Sequence, residues 1–302
     1  MITPVLLAAL ALVLSGPAPA LLARANWPYQ IPRATVALWQ ALALAAVLAA
    51  LGAGIALSYS AAGQPGEPRF DPSSLRDLAA AAVLALTALV GVRLLWAAGR
   101  VAVGTRSRRR RHRDLVDVLA TPDRLVPGLR VLAESTPLAY CLPALRGARV
   151  VVSVGAMERL DERELRAVLA HEQAHLRARH DLVLEAFTML HTAFPRWVRS
   201  EVALAQARTL VELLADDDAR RRSGPVPLAR ALVALAGSPA PAAGLAAAKS
   251  ATVLRVQRLA DPEPPYRMLS AATYAAAAAL LVLPTVTVAA PILNALADAV
   301  RW

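Results

Sequence analysis

The stretch VLAHEQAHLRARHD, Val168–Asp181, places two histidines and a glutamate within little more than one helical turn. His171 and His175 are four residues apart, so on an α-helix both imidazoles lie on one face, with Glu172 beside them. The HExxH spacing is typical of two zinc ligands and a glutamate that takes a proton from metal-bound water. So short a pattern also occurs by chance, and a third ligand is needed to support the metal site.

The surroundings of Glu172 favour a site over a solvated helix. Asp161 and Glu164 form an N-terminal capping box, which predicts a helix over about residues 161–178. At 100° per residue Glu172 projects into the apolar stripe of this helix, while the arginines lie on the opposite side. Burial of a carboxylate is costly unless a cation or a proton offsets it. The apolar stripe consists of Leu165, Val168, Leu169 and Leu176.

A helix predicted near residues 201–222 supplies the third ligand. Its segment Val211–Asp216 places Glu212 and Asp216 one turn apart. Glu212 can complete a His2Glu site that leaves the fourth position for water, as catalytic zinc requires. Asp216 can accept the free N–H of a ligand histidine. Small neighbours that would let this helix approach closely are Ala205, Ala215 and Ala219.

An alternative remains open for this helix, because Glu212 also lies four residues after Arg208 and the two side chains can form an ordinary surface pair. The charged residues next to the motifs are expected to be solvated. They are Arg177, Arg179, His180, Asp217 and Asp218.

The composition predicts membrane spans. The 302-residue chain is 57% apolar, has a mean hydropathy of +0.46 and contains only 4% aromatic residues. Runs long enough to cross about 30 Å of hydrocarbon predict three spans at about residues 2–23, 36–58 and 78–98 and a fourth at about 270–293. Arg93 in the third is expected to reach the headgroups. The first run alternatively resembles a secretory signal peptide, but no lysine or arginine precedes it, which favours a retained span.

The arginines next to the spans predict the orientation. The Arg106–Arg113 run follows the third span, which places the N-terminus outside and residues 100–267 in the cytoplasm of a multi-pass plasma-membrane protein. The net charge of +11 comes almost wholly from arginine. Because the densest cluster lies directly after a span, anionic membrane lipid is favoured as its partner over nucleic acid, and no direct nucleic-acid contact is expected.

The predicted fold class is mainly α. Three transmembrane helices fill residues 1–99, a cytoplasmic α+β domain fills residues 100–267, and a fourth transmembrane helix with a short tail fills residues 268–302. Two short strands are expected near residues 139–143 and 149–154, and further helices near 182–193 and 246–260. Residues 224–244 are expected to form a loop around one short helix. His191 is expected to be packed or interfacial, and the lone Cys141 to be a small buried hydrophobe.

These motifs resemble a known group of enzymes. AHEQAHL, residues 170–176, followed by VELLAD, residues 211–216, looks like the HExxH and ExxxD motifs of membrane-bound gluzincin metallopeptidases. The layout is most similar to the BlaR/MecR antibiotic-sensor peptidase family and its relatives, the HtpX and CAAX-prenyl (Ste-type) proteases. The resemblance implies one zinc ion per chain at His171, His175 and Glu212, with Glu172 as general base and Asp216 orienting a ligand.

The resemblance also implies a protein or peptide substrate that adds as a strand beside the active helix. The candidate strand is Arg149, Val150, Val151, Val152 and Ser153, for which an ordinary core strand is an equal alternative. A cytoplasmic repressor protein is a plausible substrate. Only about ten residues follow the fourth span, so no β-lactam sensing is inferred. The rival functions are a catalytically silent signalling or scaffold protein of the same fold and a membrane-anchored nucleic-acid-binding protein.

Overall fold

The computed structural model describes residues 2–61, 74–123, 126–144, 146–194, 201–236, 245–260 and 266–300. Within these ranges the chain is mostly helical with one small sheet, as the sequence predicts. It divides into two compact units. The apolar unit comprises Met1–Gly99, Phe187–Gln206 and Tyr266–Trp302, and the mixed unit comprises Arg100–Ala186 and Ala207–Pro265.

The long helices of the apolar unit fall on the predicted spans. Segments long and apolar enough to cross a membrane are Thr3–Arg24, Pro32–Ser58, Leu75–Leu119 and Arg267–Ala289. They belong to α1 (Ile2–Ser15) with α2 (Pro17–Arg24), and to α3 (Pro32–Ala61), α4 (Leu75–Leu119) and α11 (Arg267–Val300). A short 3₁₀ helix, Trp27–Tyr29, precedes α3. α4 runs well past the predicted end of the third span, so the arginine run is helical.

Small residues bring α3 close to its neighbours in the apolar unit. α3 packs against α1 and α11, and its buried residues recur at helical spacing. Ala45 and Ala49 are wholly buried, because a short side chain lets two helix backbones approach. This core consists of Leu14, Leu38, Ala41, Leu42, Ala45 and Ala277.

Arg93 has a protein partner within the apolar unit. Its Nε donates to the carbonyl oxygen of Ala193 over 2.5 Å. Ala193 is the last residue of α7 (His180–Ala193), where carbonyl groups lack partners inside the helix, so the guanidinium caps this end. His191, near the same end, is partly buried.

A four-stranded sheet lies in the mixed unit. Its strands β1 (Ala120–Pro122), β2 (Leu129–Leu132), β3 (Ala139–Leu142) and β4 (Arg149–Ser153) have the order β1-β2-β4-β3. β4 pairs in parallel with β2 and antiparallel with β3. Both edges of β4 are therefore occupied, so the prediction that a substrate strand adds to Arg149–Ser153 is corrected. Within the described residues β3 is an edge strand of this sheet, and it packs against the helix that carries His171 and His175.

Besides the C-terminal part of α4, six helices of the described chain lie wholly or partly in the mixed unit. The capping box predicted at Asp161 is present: its carboxylate accepts from the backbone N–H groups of Arg163 and Glu164, and Glu164 returns a bond to the Asp161 N–H. A helix of twelve residues lies in the predicted loop region 224–244, of which residues 237–244 are outside the described ranges. The helices are α5 (Val154–Arg159), α6 (Glu162–Arg177), α7, α8 (Glu201–Ser223), α9 (Pro225–Ala236) and α10 (Leu245–Ala260).

Buried side chains of α6, α8, α9 and α10 share one core, to which α6 and α8 contribute alanines. Ala167 on α6 and Ala219 on α8 are wholly buried against Leu228 of α9 and Leu259 of α10. The burial of Ala215 and Ala219 follows the prediction for small neighbours on α8, whereas Ala205 is exposed. Beside this core, His171 and His175 of α6 lie next to Glu212 of α8.

Candidate metal centre

α6 and α8 bring three ligand candidates together. The Nε2 atoms of His171 and His175 lie 3.1 Å apart. The carboxylate oxygens of Glu212 lie 3.4 Å from Nε2 of His171 and 3.5 Å from Nε2 of His175. One ligand atom from each residue lies within 4.8 Å of the others, so the three residues can hold a metal ion. Two imidazoles and one carboxylate are a donor set that suits zinc.

The centre is closed on the His171 side and open on the Glu212 side. The His171 side chain is 8% exposed and that of His175 is 16% exposed, whereas 40% of the Glu212 side chain still reaches solvent. Many protein atoms nevertheless surround the Glu212 carboxyl. Burial alone would raise its pKa, but the contacts with His171 and Arg255 hold the pKa well below its usual value. Glu212 therefore stays ionised while water can reach it.

Asp216 holds the ring of His171. One carboxylate oxygen of Asp216 lies 2.9 Å from Nδ1 of His171, and the Asp216 side chain is only 2% exposed. A proton on Nδ1 leaves the Nε2 lone pair directed at Glu212 and His175. Burial alone would lower the pKa of His171, but the Asp216 and Glu212 carboxylates raise it to about 9. The two carboxylates thus favour positive charge at this position.

Arg255 on α10 contacts both Glu212 and Asp216 of α8, and its role is not predicted from the sequence. Its Nε and Nη2 lie 2.6 and 2.7 Å from the two oxygens of Asp216. Nη1 lies 3.1 Å from Glu212, and Nη2 lies 3.5 Å from Nε2 of His171. Arg255, rather than the alternative partner Arg208, is thus the arginine in contact with Glu212. A sequence signal existed, since Arg255 lies one turn before the buried Leu259, much as Glu172 intrudes on an apolar stripe.

Glu172 is buried next to strand β3. Burial raises its pKa, which the neighbouring Glu212 raises further, although His171 counteracts this. The thiol of Cys141 on β3 lies beside Glu172 and acts to lower the pKa of that carboxyl. Burial and the Glu172 charge raise the pKa of the thiol, so it stays protonated next to the carboxylate. Cys141, predicted to be a packed hydrophobe, therefore contacts the proposed general base.

His180 is buried, contrary to the expectation that it lies on the surface. Its side chain packs edge-on against His175, with ring centroids 4.9 Å apart, and the residue is 5% exposed. The two Nδ1 atoms lie 3.1 Å apart. Burial lowers the pKa of His175 to about 4 and also lowers the pKa of His180. The neutral imidazole that results is the form in which histidine binds a metal.

The outer carboxylates of α8 are paired rather than free in solvent. Asp217 accepts two bonds from Arg258, over 2.6 and 3.1 Å. Asp218 contacts Arg177, Arg221 and Arg222. Arg177 is 42% exposed, as expected, and Arg179 pairs with Asp181. The prediction of simple solvation for Asp217 and Asp218 is thus corrected.

The formal charges at the centre leave room for one divalent cation. In the state that binds a metal the imidazoles are neutral and the carboxylates ionised. Glu172, Glu212 and Asp216 then contribute three negative charges and Arg255 one positive charge, so the sum is −3 + 1 = −2. Buried charge of one sign is costly unless it is compensated. A divalent ion between His171, His175 and Glu212 would neutralise the group.

Comparison with known families supports this chemistry. Residues 104–239 match peptidase family M48. M48 enzymes are zinc metallopeptidases, so the match supports a metallopeptidase hydrolase. It covers α6, α8 and all four strands but ends before α10, which carries Arg255. No curated protein and no solved structure matches the chain.

Proposed function

We propose that the chain is an integral-membrane zinc-dependent endopeptidase that cuts a protein substrate at the cytoplasmic side of the plasma membrane. The observation that carries this proposal is the convergence of His171, His175 and Glu212 with Glu172 buried beside them. The family match supports the peptidase chemistry, and four long apolar helices support membrane association. The finer likeness to BlaR/MecR and HtpX enzymes rests on the two motifs.

In this proposal His171, His175 and Glu212 hold zinc, which when bound supplies a Lewis acid for a carbonyl oxygen and for water. Glu172 takes a proton from the attacking water onto its carboxylate and then passes it to the leaving amine nitrogen. Its raised pKa suits both transfers, because a carboxylate with a pKa nearer neutrality binds and releases a proton more evenly. Asp216 and Arg255 keep His171 and Glu212 in place.

The substrate is proposed to be an extended protein segment that adds to β3. Within the described residues β3 has one strand neighbour, β4, and Cys141 on β3 contacts Glu172. A strand that joins this edge would pass next to the general base, held by main-chain hydrogen bonds. A cytoplasmic repressor protein remains a candidate substrate.

The exposed arginines of α4 are proposed to contact anionic lipid at the membrane surface.

The test compares wild-type protein with Glu172→Gln, with Glu158→Gln at an exposed position of α5 as the control. Purified full-length protein in lipid nanodiscs should contain one zinc ion per chain in all three forms, measured by elemental mass spectrometry. New protein N-termini found in cells that express the wild type or Glu158→Gln should disappear with Glu172→Gln, because removal of a general base costs about 10²–10⁴-fold in rate.

Two results would contradict the proposal. If the purified wild-type protein contains no bound metal, the proposed zinc site is wrong. If Glu172→Gln cleaves as fast as the wild type, Glu172 is not the general base and the proposed mechanism is wrong. Zinc in all three forms without any cleavage event would favour the catalytically silent protein of the same fold.

A further inference from the structure

His180 occupies a specific place beside the metal centre. It is the first residue of α7, and its Nδ1 lies 3.1 Å from Nδ1 of His175. The two rings are nearly perpendicular, at 86°. His180 is not among the described residues whose ligand atoms converge. Its polar contact is therefore with the far side of a ligand candidate rather than with the centre itself.

This contact and the needs of metal binding together determine which nitrogen of His175 carries a proton. Two nitrogens 3.1 Å apart share one hydrogen bond, so one donates and the other accepts. Nε2 of His175 faces Nε2 of His171 and the Glu212 carboxylate, and it needs a free lone pair to bind a metal. The proton of His175 then lies on Nδ1, which donates to Nδ1 of His180. The reverse tautomer would point an N–H at the metal position.

A short turn between α6 and α7 places His180 against His175 of α6. Only Ala178 and Arg179 separate the two helices, and Arg179 adopts the left-handed conformation with φ = 51°. A non-glycine residue rarely does so, and such residues are often found at functional sites. The Arg179 side chain pairs with Asp181 over 3.1 Å, and Asp181 also pairs with Arg109 over 3.0 Å.

We propose that His180 is a positioning residue that holds His175 with its Nε2 lone pair directed at the metal. The inference rests on the proposed function. The two ligand histidines then have different neighbours at Nδ1, since the carboxylate of Asp216 lies beside that of His171 and an imidazole nitrogen lies beside that of His175. Partners of this kind contribute about 10–100-fold to metal affinity.

The experiment measures the affinity of full-length protein in nanodiscs for Zn²⁺ by competition with a chelator, and the visible spectrum of the Co²⁺ form. His180→Leu removes the acceptor, whereas His180→Asn has nearly the same size and places an amide oxygen where Nδ1 lies. His112→Leu is the control, because it removes an imidazole in contact with Tyr140 on the exposed surface. Thermal unfolding without added metal reports folding of each variant.

The inference predicts that Zn²⁺ affinity falls about 10–100-fold in His180→Leu, with a changed Co²⁺ spectrum, and stays within about threefold of wild type in His180→Asn and His112→Leu. Equal affinity in His180→Leu and wild type would overturn it. An Asn variant that binds Zn²⁺ as weakly as the Leu variant would also overturn it. If His180→Leu does not fold, an Asn variant whose Zn²⁺ affinity lies more than about threefold below that of wild type would overturn it. Failure of wild-type protein to bind Zn²⁺ would overturn the proposed function and this inference together.

Discussion

Two arginine–aspartate pairs join the same two helices, α8 and α10, yet they belong to different environments. Asp216–Arg255 is buried, with side chains 2% and 14% exposed, and both partners also contact metal-ligand candidates. Asp217–Arg258 is 18% and 21% exposed and lies outside the group of ligand candidates. Both pairs have a shortest contact of 2.6 Å. Geometry alone therefore does not distinguish a site residue, but burial and further partners do.

The inner face of α8 carries Glu212 and Asp216, and its outer face carries Asp217 and Asp218. The largest difference between substitutions on the two faces should appear in metal affinity. Glu212→Ala removes a ligand candidate from the inner face, so Zn²⁺ affinity should fall by more than the roughly 100-fold that loss of an outer partner can cost. Asp217→Ala removes a carboxylate from the outer face and should change the affinity less than about threefold. Chelator competition measures both. Similar losses in the two variants would show that the inner face has no special role.

The next largest difference should appear in the free energy of unfolding. Arg255→Met leaves buried carboxylates without their cation, which costs about 3–5 kcal/mol when a buried pair is broken. Arg258→Met breaks the more exposed pair and should cost about 0–1 kcal/mol. Thermal or denaturant unfolding of the metal-free proteins in one detergent measures the difference. A cost for Arg258→Met equal to that for Arg255→Met would contradict the distinction between the pairs.

The smallest expected effect is a pH-dependent change in Tm when Asp218, on the outer face of α8, is substituted. Burial alone would raise the pKa of Asp218, but Arg177, Arg222 and Arg221 lower it to about 2. A carboxyl whose pKa is lowered by folding stabilises the fold above its ordinary pKa of 3.8, and this contribution disappears as pH falls towards 2. The Tm of wild-type protein should thus exceed that of Asp218→Asn slightly at pH 6, and the gap should narrow below pH 4. A gap that stays constant with pH would assign the effect to packing.

Much of the fold could be predicted because it depends on local pattern. Hydropathy indicated four long apolar segments, and the Asp161 capping box indicated where α6 begins. Two of the four strands were predicted, but β1 and β2 were not, because short strands with mixed burial carry little periodic signal. The resemblance implies a substrate-binding strand, and the segment that became β4 is the candidate from the sequence because it predicts a strand. Only the pairing shows that such a strand is central.

Residue spacing was enough to predict the donor atoms of the candidate centre. Residue spacing places His171 with His175, and Glu212 with Asp216, each pair on one face of its helix, since helical geometry follows from the backbone alone. Partners from distant or sharply turned segments become visible only in the folded chain, and these are Arg255, Cys141 and His180. Arg255 lies 39 residues from Asp216 in the sequence. His180 reaches His175 through a turn in which Arg179 has a left-handed backbone conformation. Such contacts depend on how helices and strands pack, which no local spacing determines.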